Sequence, residues 1–244
     1  TPAGQSLYAS CQEIFALLSN LEDNLANLRN LEAGKLRIAV STTGKYFILR
    51  LIAKFVELHP NIDISLQAHN RKNLIQRLEH NEDDLYIFSN PPKDIELIKQ
   101  TILPNPMVVF ARADHPLAGK KSLSFKDIAN EPFIMRETGS GTRLMAEDIF
   151  SEHGIEPHTR LELSTNESIK QAILAGLGIS ILTRYTLGLD AHESDMVELD
   201  VQDFPVERQW QFVYPAGKVL PPIAVAFLDF CRQEAASIPV PKAR

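Results

Sequence analysis

The chain has 244 residues, of which 44% are apolar and 23% charged, enough for one large globular unit or two smaller ones with their own cores. A net charge of −6 argues against this chain reading nucleic acid itself, because phosphate contacts need clustered Lys and Arg. No run approaches the ~18 apolar residues of a membrane span, an export signal is missing from the first residues, and Cys11 and Cys231 fit no metal or redox spacing. A reduced cytoplasmic protein with no membrane partner, no metal and no cofactor is expected.

Leu7, Cys11, Ile14, Leu18, Leu21, Leu25 and Leu28 follow one another at alternating spacings of four and three, an a/d seam. Gln12, Asn20, Asp23 and Asn27 are polar positions between them, and Gly34 stands where such a helix would stop. A helix of about 27 residues is roughly 40 Å long. So narrow a seam favours a partner helix, which makes residues 1–34 a linker joining two copies. An amphipathic helix lying on its own domain is the alternative, with Phe15 and Leu17 as the extra apolar residues. Arg29 faces Glu13, Glu22, Asp23 and Glu32 in composition, so the helix is a connector rather than a DNA reader.

From Lys35 the pattern becomes βα. Leu36–Val40 reads as a strand that ends in Ser41-Thr42-Thr43-Gly44, followed by a helix with Phe47, Ile48, Leu51, Ile52 and Phe55 on one face. Ile62, Ile64 and Leu66 alternate with polar residues in a second strand ending at His69-Asn70, and Leu74, Ile75 and Leu78 mark the next helix. Leu85–Phe88, Ile95–Leu103 and Met107–Ala111 read as strands, with Glu82-Asp83-Asp84 as a solvated turn. In the second half, Pro132–Met135 empties through Arg136-Glu137-Thr138-Gly139-Ser140-Gly141-Thr142-Arg143 into a helix over Leu144–His153. Leu161–Leu163 ends at Ser164-Thr165-Asn166, where Asn166 is placed to cap the helix Glu167–Ala175. Ile179–Leu182, Val197–Leu199 and Trp210–Tyr214 are further strands, and a last helix runs from about Pro222 to Ala235. Two successive sets of alternating strands and helices define an α/β protein with two mostly parallel sheets.

Several sharper chemistries fail on spacing. Ser140 has Thr138 and Thr142 where a nucleophile elbow needs Gly. Gly119-Lys120-Lys121-Ser122 lacks the leading Gly of a phosphate loop, since position 114 is Asp. Gly176 and Gly178 follow a helix and precede a strand, the reverse of a dinucleotide fingerprint, and suit a tight αβ turn. The seven His are scattered, and His153 and His158 flank a loop without metal spacing.

The long amphipathic helix, the βαβ unit, His115-Pro116-Leu117-Ala118 and Ala175-Gly176-Leu177-Gly178-Ile179-Ser180-Ile181-Leu182 together resemble the effector-binding region, with linker helix, of a LysR-type transcriptional regulator. Lys45-Tyr46-Phe47, Asp83-Asp84-Leu85-Tyr86 and the Gly-Ser-Gly-Thr-Arg loop are similar to the CbbR group, which controls carbon-fixation operons. The sequence departs from the family at Thr183, where a Pro usually follows the strand; this affects the local turn, not the fold. The resemblance implies two Rossmann-like subdomains of the periplasmic-binding-protein type II kind: subdomain I over 35–111 and 212–244, subdomain II over 112–211. It also implies a homodimer or higher homo-oligomer, and promoter DNA contacted through a winged helix-turn-helix that would precede this chain.

In open α/β sheets ligands bind beyond the carboxyl ends of strands, at helix N-termini. Three such ends carry hydroxyls or amides: Ser41-Thr42-Thr43, Ser140-Gly141-Thr142 and Thr165-Asn166. The middle one is equally well read as a plain N-cap. Family members use Ser/Thr positions after the first strand for effector contact, which the resemblance carries to Ser41 and Thr43. The implied ligand is a small anionic metabolite, a sugar phosphate or related carbon compound, in a cleft between the subdomains. Lys45 and Arg143 are candidates for a full positive charge, each weighed against a solvated helix residue; His69, Asn70 and Phe204 are weaker wall candidates. A regulatory sensor rather than an enzyme is expected. The alternatives are a free-standing solute-binding protein of the same fold and a two-lobed enzyme acting on a small acid.

Overall fold

The computed structural model describes residues 1–5, 7–8, 10–12, 14–15, 18, 34–187 and 195–241. In chain order its strands are β1 (Gly34–Ser41), β2 (Ile62–His69), β3 (Leu85–Phe88), β4 (Leu97–Pro104), β5 (Met107–Arg112), β6 (Phe133–Arg136), β7 (Thr159–Leu163), β8 (Ser180–Thr183), β9 (Met196–Glu198) and β10 (Gln209–Pro215). The helices are α1 (Lys45–Leu58), α2 (Arg71–Glu79), α3 (Phe125–Ile128), α4 (Gly141–Glu152), α5 (Asn166–Leu174) and α6 (Pro222–Glu234). Two compact units result: Thr1–Leu103 with Trp210–Ile238, and a second built on Pro104–Gln209. The divisions fall at Leu103/Pro104 and Gln209/Trp210, compared with residues 111/112 and 211/212 expected from the sequence.

The first unit holds a five-stranded sheet in the order β2-β1-β3-β10-β4. β1 pairs parallel with β2 and β3, and β10 returns antiparallel to β3. Period-two burial splits its strands between two faces. Ala39, Tyr86, Phe88 and Val213 meet Leu74 and Leu78 of α2. On the α1 and α6 side, Phe227 packs edge-on against Phe55 at 5.0 Å and Phe212 at 5.9 Å, and Phe47 lies 5.3 Å from Trp210. Covering both faces is what makes β3 buried throughout and β1 buried over Ile38–Val40.

Asp83 and Asp84 correct one expectation. They are buried, not solvated: Arg77 binds Asp83 through two hydrogen bonds of 2.8 and 3.0 Å, and Arg37 binds Asp84 from its backbone N–H at 2.7 Å and its guanidinium at 3.1 Å. The Lys218 ammonium donates to the Asp83 carbonyl and lies 5.9 Å from the Tyr86 ring centre. Buried carboxylates need such partners; that of Asp84 comes from 47 residues away and that of Asp83 from six residues back.

In the second unit β5 is the central strand, antiparallel to both β8 and β9, while β6 and β7 form a parallel pair. The sheets are therefore mixed rather than mostly parallel, because the strand by which the chain enters this unit runs against its neighbours. Met107, Val109 and Ala111 face the cluster around Phe125, Phe133, Met145 and Phe150; Val108 and Phe110 face Ile169 and Ile173 of α5. Gly178 ends the αβ turn at φ +156°, where an added Cβ would lie 2.1 Å from the Pro132 carbonyl oxygen, so only glycine fits.

Residues 2–5, 7–8, 10–12, 14–15 and 18 are helical, as the seam requires, and Leu7, Ile14 and Leu18 are at least half exposed. Leu21, Leu25 and Leu28 lie outside the described residues. Gly34, expected as a helix terminator, is the first residue of β1. Among the described residues no helix is long and apolar enough to cross a membrane.

Candidate functional site

The first strand-end turn is an opening in the first unit's hydrogen bonding. β1 and β2 end side by side with Ser41 opposite His69, and the Thr42 N–H donates to the His69 carbonyl at 2.9 Å. The Gly44 N–H closes the turn on the Ser41 carbonyl at 2.8 Å, and α1 starts with Gly44 as its N-cap and no capping side chain. Thr43 is buried. The Ser41 Oγ and the His69 Nε2 are both buried and neither has a hydrogen-bond partner. Buried polar atoms are nearly always satisfied, so two unsatisfied ones on paired residues mark a place for a ligand atom. Burial above all, with the Arg77 charge second, lowers the His69 pKa, so its ring is neutral at pH 7.

The other first-unit candidates are committed. Asn70 caps α2, its Oδ1 accepting from the Asn73 N–H at 3.0 Å. The Lys45 ammonium lies 5.2 Å from the Tyr46 ring centre.

In the second unit, β6 runs into a turn in which the Ser140 N–H donates to the Glu137 carbonyl at 3.1 Å and Gly139 adopts φ +91°. Ser140 is the N-cap of α4, yet its hydroxyl makes no capping bond. Ser140 and Thr142 are only 3% and 4% exposed, and Gly141 between them is the first helical residue. An ordinary N-cap would occupy one of the first-turn N–H groups with its own side chain. Here no side chain does so, leaving the dipole end of α4 and two hydroxyls for an anion.

The third turn is built differently. Thr165, not Asn166, caps α5: its Oγ1 accepts from the Ser168 N–H at 3.0 Å and donates to the Ser168 Oγ at 2.8 Å. Asn166 is buried as the first helical residue, and its Oδ1 accepts from the Arg136 Nη1 at 2.7 Å. Threonine wins the cap because its side chain sits where the backbone is still extended.

Arg143 does not offer a spare charge. It pairs with Glu147 at 2.7 Å and with Glu162, and its Nη1 reaches the Arg136 carbonyl at 3.0 Å. Phe204 stacks on Phe125 at 6.1 Å, in the second unit's core. Arg136 is the residue that sequence reasoning missed. Its signal was a charge closing the otherwise apolar strand Phe133-Ile134-Met135-Arg136. Thr183 also finds its reason: its hydroxyl donates to the Oδ1 of buried Asn105, a bond that a proline there would not make. Among the described residues no cluster of His, Cys, Asp or Glu is arranged to hold a metal ion.

The uncapped, hydroxyl-bearing start of α4 and the unsatisfied end of β1 are the candidate ligand-facing groups of this α/β fold. Comparison with known proteins gives its lineage. Residues 29–236 match the model of the LysR substrate binding domain. The chain is 43% identical over 240 residues to the HTH-type transcriptional activator CmpR of Synechocystis sp., covering 98% of this chain and 79% of that one. It is 41% identical over 230 residues to the RuBisCO operon transcriptional regulator of Acidithiobacillus ferrooxidans, covering 94% and 74%. Among solved structures, the CcmR regulatory domain of Synechocystis PCC6803 in complex with 2-PG superimposes with a TM-score of 0.80 at 46% identity, over 82% of this chain and 97% of that one. The chain belongs to the LysR-type transcriptional regulators and is an effector-binding domain of the periplasmic-binding-protein type II-like fold. Within that family it groups with the CmpR and CbbR regulators of carbon fixation.

Proposed function

We propose that the chain senses a small anionic metabolite, a sugar phosphate or related carbon compound, through the Ser140–Thr142 turn of its second unit, with the Ser41–Thr43 turn of its first unit proposed separately as a further effector contact. The observation that carries this is the uncapped start of α4, where the buried residues Ser140 and Thr142 each carry a hydroxyl. A helix N-terminus favours an anion by about 0.3–1 kcal/mol, or up to ~2 when partly buried. With hydroxyl and N–H bonds added, an affinity between about micromolar and millimolar follows, roughly −8 to −4 kcal/mol. The 2-PG held by the CcmR regulatory domain supports an anion as the ligand class. Binding biases the domain only by its differential affinity for the arrangements the protein adopts. The output is control of transcription, including CO2-fixation genes, by a cytoplasmic homo-oligomer paired through the N-terminal seam and meeting promoter DNA through a winged helix-turn-helix. This is recognition without turnover, so the reading is a regulator and not an enzyme.

Titration of a carbon-metabolite panel, 2-PG and sugar phosphates included, against the wild-type chain and the Ser41→Ala and Thr142→Val variants tests the assignment. Weaker binding in both variants is expected. Unchanged affinity in both removes the site.

A further inference from the structure

Arg136 is 2% exposed at the end of β6, in a strand whose other residues are apolar. Taking a guanidinium out of water costs several kcal/mol unless its N–H groups are paired. Here four bonds satisfy it. Nε and Nη2 donate to the Glu137 carboxylate at 2.8 and 3.1 Å, Nη2 also donates to the Ser164 carbonyl at 3.1 Å, and Nη1 donates to the Asn166 Oδ1 at 2.7 Å. These acceptors belong to two of the three strand-end turns: Glu137 opens the turn that leads to Ser140 and Thr142, while Ser164 and Asn166 flank Thr165. The residue's own carbonyl accepts from Arg143 of α4 at 3.0 Å. A planar fork bonded to several elements fixes their relative orientation in a way a flexible ammonium does not.

The cations around this turn are already paired. Arg136 faces Glu137, and Arg143 faces Glu147 and Glu162, two guanidiniums against three carboxylates. An anion at the α4 start is therefore recognised by N–H groups and hydroxyls, whose strength depends on where they point. Geometry, rather than a spare cation, decides affinity there.

We propose that Arg136 is a positioning residue for the effector: it locks the Thr165–Asn166 turn to the Ser140–Thr142 turn, so that the N–H groups and hydroxyls of the latter stay aimed at the anion. This rests on the function proposed above. It assigns Asn166 to the support of the site, one step back from the ligand.

The test has two readouts. In the unliganded 244-residue chain, the amide resonances of Gly139, Gly141 and Thr142 are compared between wild type and Asn166→Ala. Shifts in all three are expected although the substitution lies on another turn; unmoved resonances overturn the proposal. Affinities for 2-PG and for inorganic phosphate are then measured with Arg136→Lys, Asn166→Ala and the double variant. Each single change is expected to weaken binding about tenfold, and the double to weaken it no further than the weaker single, because both break one link. Glu162→Gln, which removes an exposed strut, is expected to stay within about twofold. A lower melting temperature with unchanged affinity for both probes overturns the proposal, since a merely structural role does that. Should Arg136→Lys not fold, the Asn166→Ala resonances and affinities decide alone. A wild-type chain that takes up neither probe overturns the function proposed above, and the link is then judged on the amide resonances.

Discussion

A buried polar atom left without a partner costs roughly 1–3 kcal/mol, and such atoms survive where something else uses them. Ser41 is such a case, with His69 beside it. Ser41→Ala is therefore expected to leave the melting temperature unchanged or slightly higher, while affinity for 2-PG falls about five- to tenfold, the worth of one hydrogen bond. A destabilised variant that binds normally would make Ser41 a structural residue. Lys218 gives a pH signature. Burial first of all lowers its pKa to about 8, against the pull of Asp84 and Asp83 that favours the charged form. Between about pH 8 and the ordinary lysine value the unfolded chain holds the proton and the folded chain does not, so stability rises with pH across that window. Urea midpoints at about pH 7.5 and 9.5 are expected to rise in wild type relative to Lys218→Met. Parallel behaviour of the two would refute the depressed pKa.

Helix starts are where the elements separate structural from binding roles. α5 is capped by Thr165 and α4 is not capped by Ser140, although the two sequences look alike. Thr165→Ala should cost about 1 kcal/mol, the value of an N-cap, and Ser140→Ala should stay within about 0.5 kcal/mol in chemical denaturation. Ligand affinity should move the other way, falling in Ser140→Ala and holding in Thr165→Ala. A capping loss in Ser140→Ala of the size seen for Thr165→Ala would return that turn to an ordinary helix start. The αβ turn before β8 is stricter still. Gly178→Ala forces a Cβ into the Pro132 carbonyl, so a loss of several kcal/mol or failure to fold is expected.

At the scale of the molecule, the α/β order was legible because its signal is local. The period-two pattern placed β1 and β2 within two residues of their observed ends, and the period-three-to-four pattern located α1 and α2 by their buried faces. What escaped depends on partners distant in sequence. The buried Asp84 carboxylate rests on Arg37, 47 residues before it, and the Asp83 backbone carbonyl on Lys218, 135 residues beyond, whereas the Asp83 carboxylate is held by Arg77 from six residues back. The antiparallel setting of β5 is decided by β8 and β9, which its own residues cannot announce. Strand ends told where hydroxyls and amides gather, but not which of them other side chains or backbone groups use. Thr165 and Asn70 are used up by Ser168 and Asn73, three residues on, a spacing that was readable as capping; Asn166 is used up by Arg136, 30 residues away, which was not. The N-terminal seam makes its own prediction. Leu7, Ile14 and Leu18 expose their side chains as a pairing face would, so Ile14→Glu with Leu18→Glu is expected to shift light-scattering mass toward a monomer. An unchanged mass would place assembly elsewhere.

The central claim is that the uncapped start of α4 binds an anion. A crystal structure of the chain grown with 2-PG tests it most directly. The expected result is ligand density with an anionic oxygen about 2.7–3.2 Å from the Gly141 or Thr142 amide nitrogen. Ligand density lying away from this turn, with the α4 start facing only water, would contradict the account.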